Sequence, residues 1–184
     1  LIESRSIDSE IEYYQYDSDL NYVGSGSFSV DGISRRILYD YTRQTVWVSF
    51  EDDTMQSYNL YTSQQGQRFK IVPDANDMDI SSDYLVVLSD KGFDTDDDGG
   101  YLGGINIINL ESSAVKEIKL LHHHTSVSIK DDSVYVTNND DNSVSQISLD
   151  TGEIIKKIDI GNSAEHVVVT KAGDAFVASR LGGN

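Results

Sequence analysis

The stretch VSIKDDSVYVTNNDDNSVSQISLDTGEIIKKIDI, Val127 to Ile160, decides the fold. It holds a short apolar stretch (Val127–Ile129), a turn at Asp131-Asp132, and then Ser133-Val134-Tyr135-Val136-Thr137-Asn138. A loop over Asn139–Asn142 leads to Ser143–Leu149, and a turn at Asp150-Thr151-Gly152 leads to Glu153–Ile160. Each segment is strand-length, rich in β-branched and aromatic residues, and bounded by turn formers. The stretch therefore predicts four strands, A to D, within a period of about 40 residues.

The same order recurs on both sides. Upstream, Val46-Trp47-Val48-Ser49 matches strand B and Tyr58-Asn59-Leu60 matches the end of strand C. Leu85–Leu88, Ile105–Leu110 and Lys116–Leu120 then supply strands B, C and D of the next unit. Downstream, His166–Val169 opens a further strand A and Ala175–Ser179 its strand B. Leu1–Arg5 aligns with Phe176–Arg180, and Ile11–Tyr16 aligns with Val144–Leu149. The reading is an all-β chain, a β-propeller of four-stranded antiparallel blades forming an incomplete ring with about four repeats. Residues 1–184 form a single partial propeller: repeat 1 over 1–36 without its first strand, repeat 2 over 37–76, and repeat 3 over 77–124 with an inserted acidic loop at 89–104. Repeat 4 covers 125–165 and a half repeat covers 166–184. Exposed edges at both ends are expected to be covered by further blades of the same protein or of another chain.

Val134–Asn138, Asn142–Ser145, Asp150-Thr151-Gly152 and Gly161-Asn162-Ser163 resemble the YVTN-type repeat of surface-layer-like β-propellers. The match is good over about 127–180 and weaker over 1–126. That repeat usually carries a proline after the glycine that precedes strand A; Ala164 holds the place here, and the single proline, Pro73, stands off register. The resemblance implies a secreted, periplasmic or cell-surface protein. Some members are fused to redox domains, and some relatives are lyases or lactonases.

Composition narrows the partners. With 31 acidic residues against 14 basic ones the formal charge is −17, which repels phosphate backbones and anionic lipid. Nucleic acid is therefore not an expected partner. Nor is membrane insertion expected, since no apolar run approaches the ~20 residues of a helical span. The absence of cysteine removes disulfides and thiolate chemistry without fixing a compartment.

Two features break the repeat and carry the candidate chemistry. Between strands B and C of repeat 3 the chain inserts Asp94-x-Asp96-x-Asp98-Gly99. Alternate carboxylates ahead of a glycine can wrap oxygens around Ca²⁺, with Asp94, Asp96 and Asp98 as side-chain ligands and the Gly100 carbonyl as a further one. The acids that an EF-hand places at its ninth and twelfth positions are here Leu102 and Ile105, so Asp90 or Asp97 would complete the set. A solvated, metal-free acidic hairpin tip is the alternative. The second feature is His122, His123, His124 and His166, which lie in or beside the links from strand D to strand A. Imidazoles ligate transition metals, but consecutive residues of an extended segment point in alternating directions. In a propeller the B–C and D–A links emerge on one face, so the acidic loop and the histidines share it.

No nucleophile elbow, zincin helix, phosphate loop or dinucleotide fingerprint occurs, and Ser113-x-x-Lys116 falls at a C–D turn. Two function classes stay open. One is an extracytoplasmic interaction module binding a protein or carbohydrate on the loop face, with calcium stabilising the acidic loop. The other is a lyase-like, lactonase-like or redox-associated propeller with a metal or substrate site at the histidines. Convergence of two or more histidines beside acids favours the second; splayed, solvent-facing rings favour the first.

Overall fold

A computed structural model describes residues 2–7, 9–89, 103–120 and 123–180. Among them there is no helix, and the strands form antiparallel meanders, each pairing with the next in sequence within its sheet. The first sheet contains β1 (Ile2–Ile7), β2 (Glu10–Tyr16) and β3 (Tyr22–Ser29). The second contains β4 (Ser34–Asp40), β5 (Thr45–Phe50), β6 (Thr54–Asn59) and β7 (Gln65–Lys70). The third contains β8 (Ala75–Ile80), β9 (Tyr84–Ser89), β10 (Gly103–Asn109) and β11 (Val115–Leu120). The fourth contains β12 (Val127–Lys130), β13 (Ser133–Asn138), β14 (Ser143–Ser148) and β15 (Ile154–Asp159). The fifth pairs β16 (Ser163–Val169) with β17 (Ala175–Arg180). The first sheet thus supplies strands B, C and D, the next three supply A to D, and the fifth supplies A and B. The chain divides into two compact units, Leu1–Lys70 and Ile71–Asn184.

Burial follows strand rank. The B strands β5, β9 and β13 are covered on both faces, whereas β17, the B strand of the two-stranded sheet, is largely exposed. All of β9 beyond Tyr84 is buried, as is all of β5 beyond Thr45. That is why Val46-Trp47-Val48 and Leu85–Leu88 read as unbroken apolar runs instead of alternating ones. Strands D are largely exposed, β7 burying only Phe69. In the first unit Ile11 and Phe28 pack with Val46, Val48, Phe50 and Tyr58. Phe28 and Tyr58 meet at 5.4 Å between ring centroids, across the two sheets. Trp47 packs on Phe69 of its own sheet at 6.1 Å. In the second unit Val86, Leu88, Ile105 and Ile107 join Val127, Val134, Val136 and Ile147. Each such side chain withdrawn from water contributes roughly 1.5–3 kcal/mol.

The C–D turns are built alike. Asn59 Oδ1 accepts the Tyr61 and Thr62 N–H groups, and Asn109 Oδ1 accepts those of Glu111 and Ser112. The last residue of each turn is left-handed: Ser63 at φ 57°, Ser113 at φ 61° and Gly152 at φ 79°. Only the third uses glycine, which adopts that conformation without a Cβ clash. A further backbone bond ties each turn to its own A–B side, from Leu60 N to Gln44 O, Leu110 N to Asp83 O and Leu149 N to Asp132 O.

The loop face of the second unit

The site grows from a register shared by the three A strands β8, β12 and β16. The innermost strand of a sheet has no neighbour on one side, so half of its N–H groups lack a ladder partner. Here the preceding A strand supplies them. Asp77 Oδ2 accepts from Val127 N at 2.9 Å, and Asp79 Oδ2 accepts from Ile129 N at 2.6 Å. One sheet further on, Ser126 Oγ accepts from Val167 N at 3.4 Å and Ser128 Oγ from Val169 N at 3.1 Å. Asp77 and Ser126 are thus equivalent, as are Asp79 and Ser128. The residue before each pair donates instead, Asn76 Nδ2 to His124 O at 3.2 Å and Thr125 Oγ1 to Glu165 O at 2.6 Å.

Both carboxylates are doubly committed. Asp77 Oδ1 accepts from Met78 N and Asp79 Oδ1 from Ile80 N, at 2.9 and 2.8 Å. Burial pushes the Asp79 carboxyl above the usual range, against the two backbone donors that pull it down; the neighbouring Asp77 charge adds to the rise.

This register also decides what the histidines do. His124 is equivalent to Ala75 and Ala164, all three buried. Its ring is 1% exposed and its Nδ1 lies 2.9 Å from Thr137 O, so Nδ1 carries the proton and donates. His166 takes the register of Asp77 and Ser126; it is exposed, and its Nδ1 lies 2.7 Å from Ser126 Oγ. His123 is exposed, and its backbone N–H donates to Asp140 Oδ2 at 3.2 Å. One ring is thus in the core, one is bound at a seam between sheets and one is on the surface. Among the described residues no group of three or more His, Cys, Asp or Glu side chains could hold a metal ion.

His122, Asp94, Asp96, Asp98 and Gly100 lie outside the described residues. The strands flanking the acidic insertion are described, and Gly104 stands opposite Ser89.

A Ser–His contact at 2.7 Å resembles the start of a nucleophile–base relay. However, Ser126 is 0% exposed and its oxygen also receives the Val167 N–H, so no reacting carbon can reach it. The neighbouring polar groups are likewise paired among themselves. Thr125 Oγ1 donates to Glu165 O at 2.6 Å, and Asn139 Nδ2 donates to Glu165 Oε1 at 3.0 Å.

The open part of this face is a depression of about 370 Å³ lined by Asn142, Gly161, Asn162, Ser163 and Arg180. Asn142 comes from the B–C turn of the fourth sheet, where φ is 55°; residues 161–163 come from the next link and Arg180 from the end of β17. It offers one guanidinium among neutral amide and hydroxyl groups. Sequence reading had selected Asn142 and Gly161–Ser163 as repeat-motif positions. Asp77, Asp79, Ser126, Ser128 and Arg180 escaped it, although D-x-D and S-x-S at alternate positions of an A strand were visible signals.

No family model and no curated protein matches the chain. Among solved structures it is similar to the WD40 domain of Pan2 from Neurospora crassa, with a TM-score of 0.63 and 11% identity, over 93% of this chain and 56% of that one. It is also similar to Hsv2 from Kluyvelomyces marxianus, with a TM-score of 0.66 and 16% identity, over 94% of this chain and 51% of that one. The chain spans about half the length of these structures. Its fold is that of a β-propeller, built from four-stranded antiparallel blades.

Proposed function

We propose that this β-propeller is an interaction module that receives a protein partner on the B–C and D–A loops of its second unit. The observation that carries the reading is the depression at Asn142, Asn162, Ser163 and Arg180, set beside histidines already engaged in packing and in the seams between blades. A guanidinium flanked by neutral hydrogen-bonding groups suits a carboxylate-bearing segment of a protein; an acidic carbohydrate offers the same chemistry. The YVTN-like motifs support placing the protein outside the cytoplasm. Further blades, of the same protein or another chain, would close the ring. With the partner captured by the intact protein, Arg180→Ala should weaken its binding about tenfold or more with Tm unchanged. Equal affinity for wild type and variant would remove this face from the reading.

Calcium on Asp94, Asp96, Asp98 and the Gly100 carbonyl belongs to the same proposal and rests on their spacing alone. Millimolar Ca²⁺ is expected to raise Tm, and Asp96→Ala to abolish the rise. A Tm indifferent to calcium in the wild type would eliminate the metal.

A further inference from the structure

The opposite face of the first unit carries a second set of unusual residues. The A–B and C–D turns of a meander emerge at one end of its strands, away from the B–C and D–A links. On that end the blade of β4–β7 exposes Tyr41 and Tyr61, at 68% and 58%. Tyr39, half-buried, stands edge-on to Tyr41 at 4.5 Å. The blade of β1–β3 exposes Leu20, Tyr22 and Val23 around its C–D turn, and Tyr16 meets Tyr22 edge-on at 6.1 Å.

Leu20 is the clearest departure from packing logic. A bulky apolar residue, 68% exposed, is held left-handed at φ 62°. Asp17 enforces that backbone: its Oδ1 accepts the Asp19 and Asn21 N–H groups at 2.9 and 2.8 Å, and its carbonyl accepts Leu20 N at 3.2 Å. The C–D turns of the other blades are also left-handed, at Ser63, Ser113 and Gly152, so the backbone at Leu20 belongs to the turn. A bulky apolar side chain there, where the others carry serine or glycine, is what the fold does not ask for.

The charge on the Leu20 turn is negative. Asp17 and Asp19 are exposed on the same turn, and the hydrogen bonds from Asn21 hold the Asp17 carboxyl below its usual range. Arg43, in the same A–B turn as Tyr41, is engaged by Asp40 at 2.9 Å. Tyrosine faces attract guanidinium and ammonium groups, and a chain of net charge −17 draws cations from a distance.

We propose that this tyrosine- and leucine-bearing face, flanked by Asp17 and Asp19, docks an arginine-rich peptide segment of a partner protein. The guanidinium groups stack on Tyr41, Tyr61 and Tyr22 and pair with the two carboxylates, while Leu20 and Val23 take the segment's apolar side chains. This surface shares no residue with the depression at Asn142, Asn162, Ser163 and Arg180, so either proposal can fail without the other.

The test uses fluorescein-labelled hexa-arginine and hexa-glutamate peptides and the intact protein, at about 150 mM salt to screen long-range attraction. Hexa-arginine should bind and hexa-glutamate should not. The double variant Tyr41→Ala and Tyr61→Ala, which leaves the net charge untouched, should bind hexa-arginine about tenfold more weakly. Tyr41→Phe with Tyr61→Phe, which keeps the rings, should stay within about twofold. Leu20→Gly relieves the left-handed backbone and should weaken binding with Tm unchanged or raised, which separates lost contact from lost fold. Wild-type affinity in the tyrosine-to-alanine variant would mean that bulk charge alone attracts the peptide, and would overturn the proposal. Hexa-glutamate binding as tightly as hexa-arginine would overturn it too.

Discussion

Replacing His124 by alanine is expected to destabilise the second unit by about 2–4 kcal/mol, a sum of cavity and orphaned-acceptor costs. In a chain of this size that is a fall in Tm of roughly 5–15 °C. The imidazole is fully enclosed, and its Nδ1–H satisfies the Thr137 carbonyl on the neighbouring strand β13. Ala75 and Ala164 occupy the same register with a methyl group, so the space around residue 124 has been shaped to a ring that its equivalents lack. His166→Ala is the control. Its ring is exposed and makes the bond to Ser126, so about 1 kcal/mol should be lost. Equal small losses at both positions, in thermal melts followed by circular dichroism, would show that His124 is not a packing residue.

Asp79→Ala should destabilise the second unit by about 1–3 kcal/mol, because the Ile129 N–H loses its acceptor at the seam between blades. The substitution Asp79→Asn isolates the charge through the pH dependence of stability. Burial raises the folded-state pKa of Asp79, so between the ordinary carboxylate value and the raised one the folded protein binds more protons than the unfolded chain. The stabilising contribution of this group is therefore fully present below the ordinary value and is lost as pH rises through the raised one. Asparagine carries no charge and keeps one oxygen, enough for Ile129 or Ile80 but not both. It therefore lowers stability by a pH-independent amount and removes the pH-dependent part. Relative to wild type, the asparagine variant should gain stability as pH rises from about 4 to neutrality. Parallel stability–pH profiles of the two proteins would show that the Asp79 charge is not a burden on the fold.

The strands legible in the sequence are those whose chemistry is set within one blade. β13 runs Ser133–Asn138, as the apolar run and its flanking turns predict, and β9 and β5 extend their predicted cores by a residue at each end. Burial on both faces made those strands continuous in Val, Leu and Ile. The A strands β4 and β8 were not legible, since Ser34-Arg35-Arg36 and Asn76-Asp77-Met78-Asp79 look like loop. In β8 the polar side chains are turned toward the next A strand, where they replace a hydrogen-bonding ladder that water would otherwise supply. The outer strands β3 and β7 were hidden for the opposite reason: solvent covers most of their side chains, so nothing forces an apolar pattern on them.

The site was legible in position and not in state. Alternation along an extended chain argues that adjacent histidines face different ways, but it cannot say which of His123 and His124 turns inward. That depends on the packing partner, the Thr137 carbonyl, which lies thirteen residues away in sequence. Arg180 and the residues around it were invisible as a set, because their closeness arises only when the fourth and fifth sheets stand side by side.

The joint between successive A strands also has a consequence for how such blades can drift apart. It asks for an oxygen at two alternate positions and nothing more: Asp-x-Asp serves at one joint and Ser-x-Ser at the next, with the same backbone partners. A joint specified so loosely tolerates many spellings. Neighbouring blades can therefore lose nearly all resemblance to each other while the joints between the A strands of the second unit keep the same backbone partners.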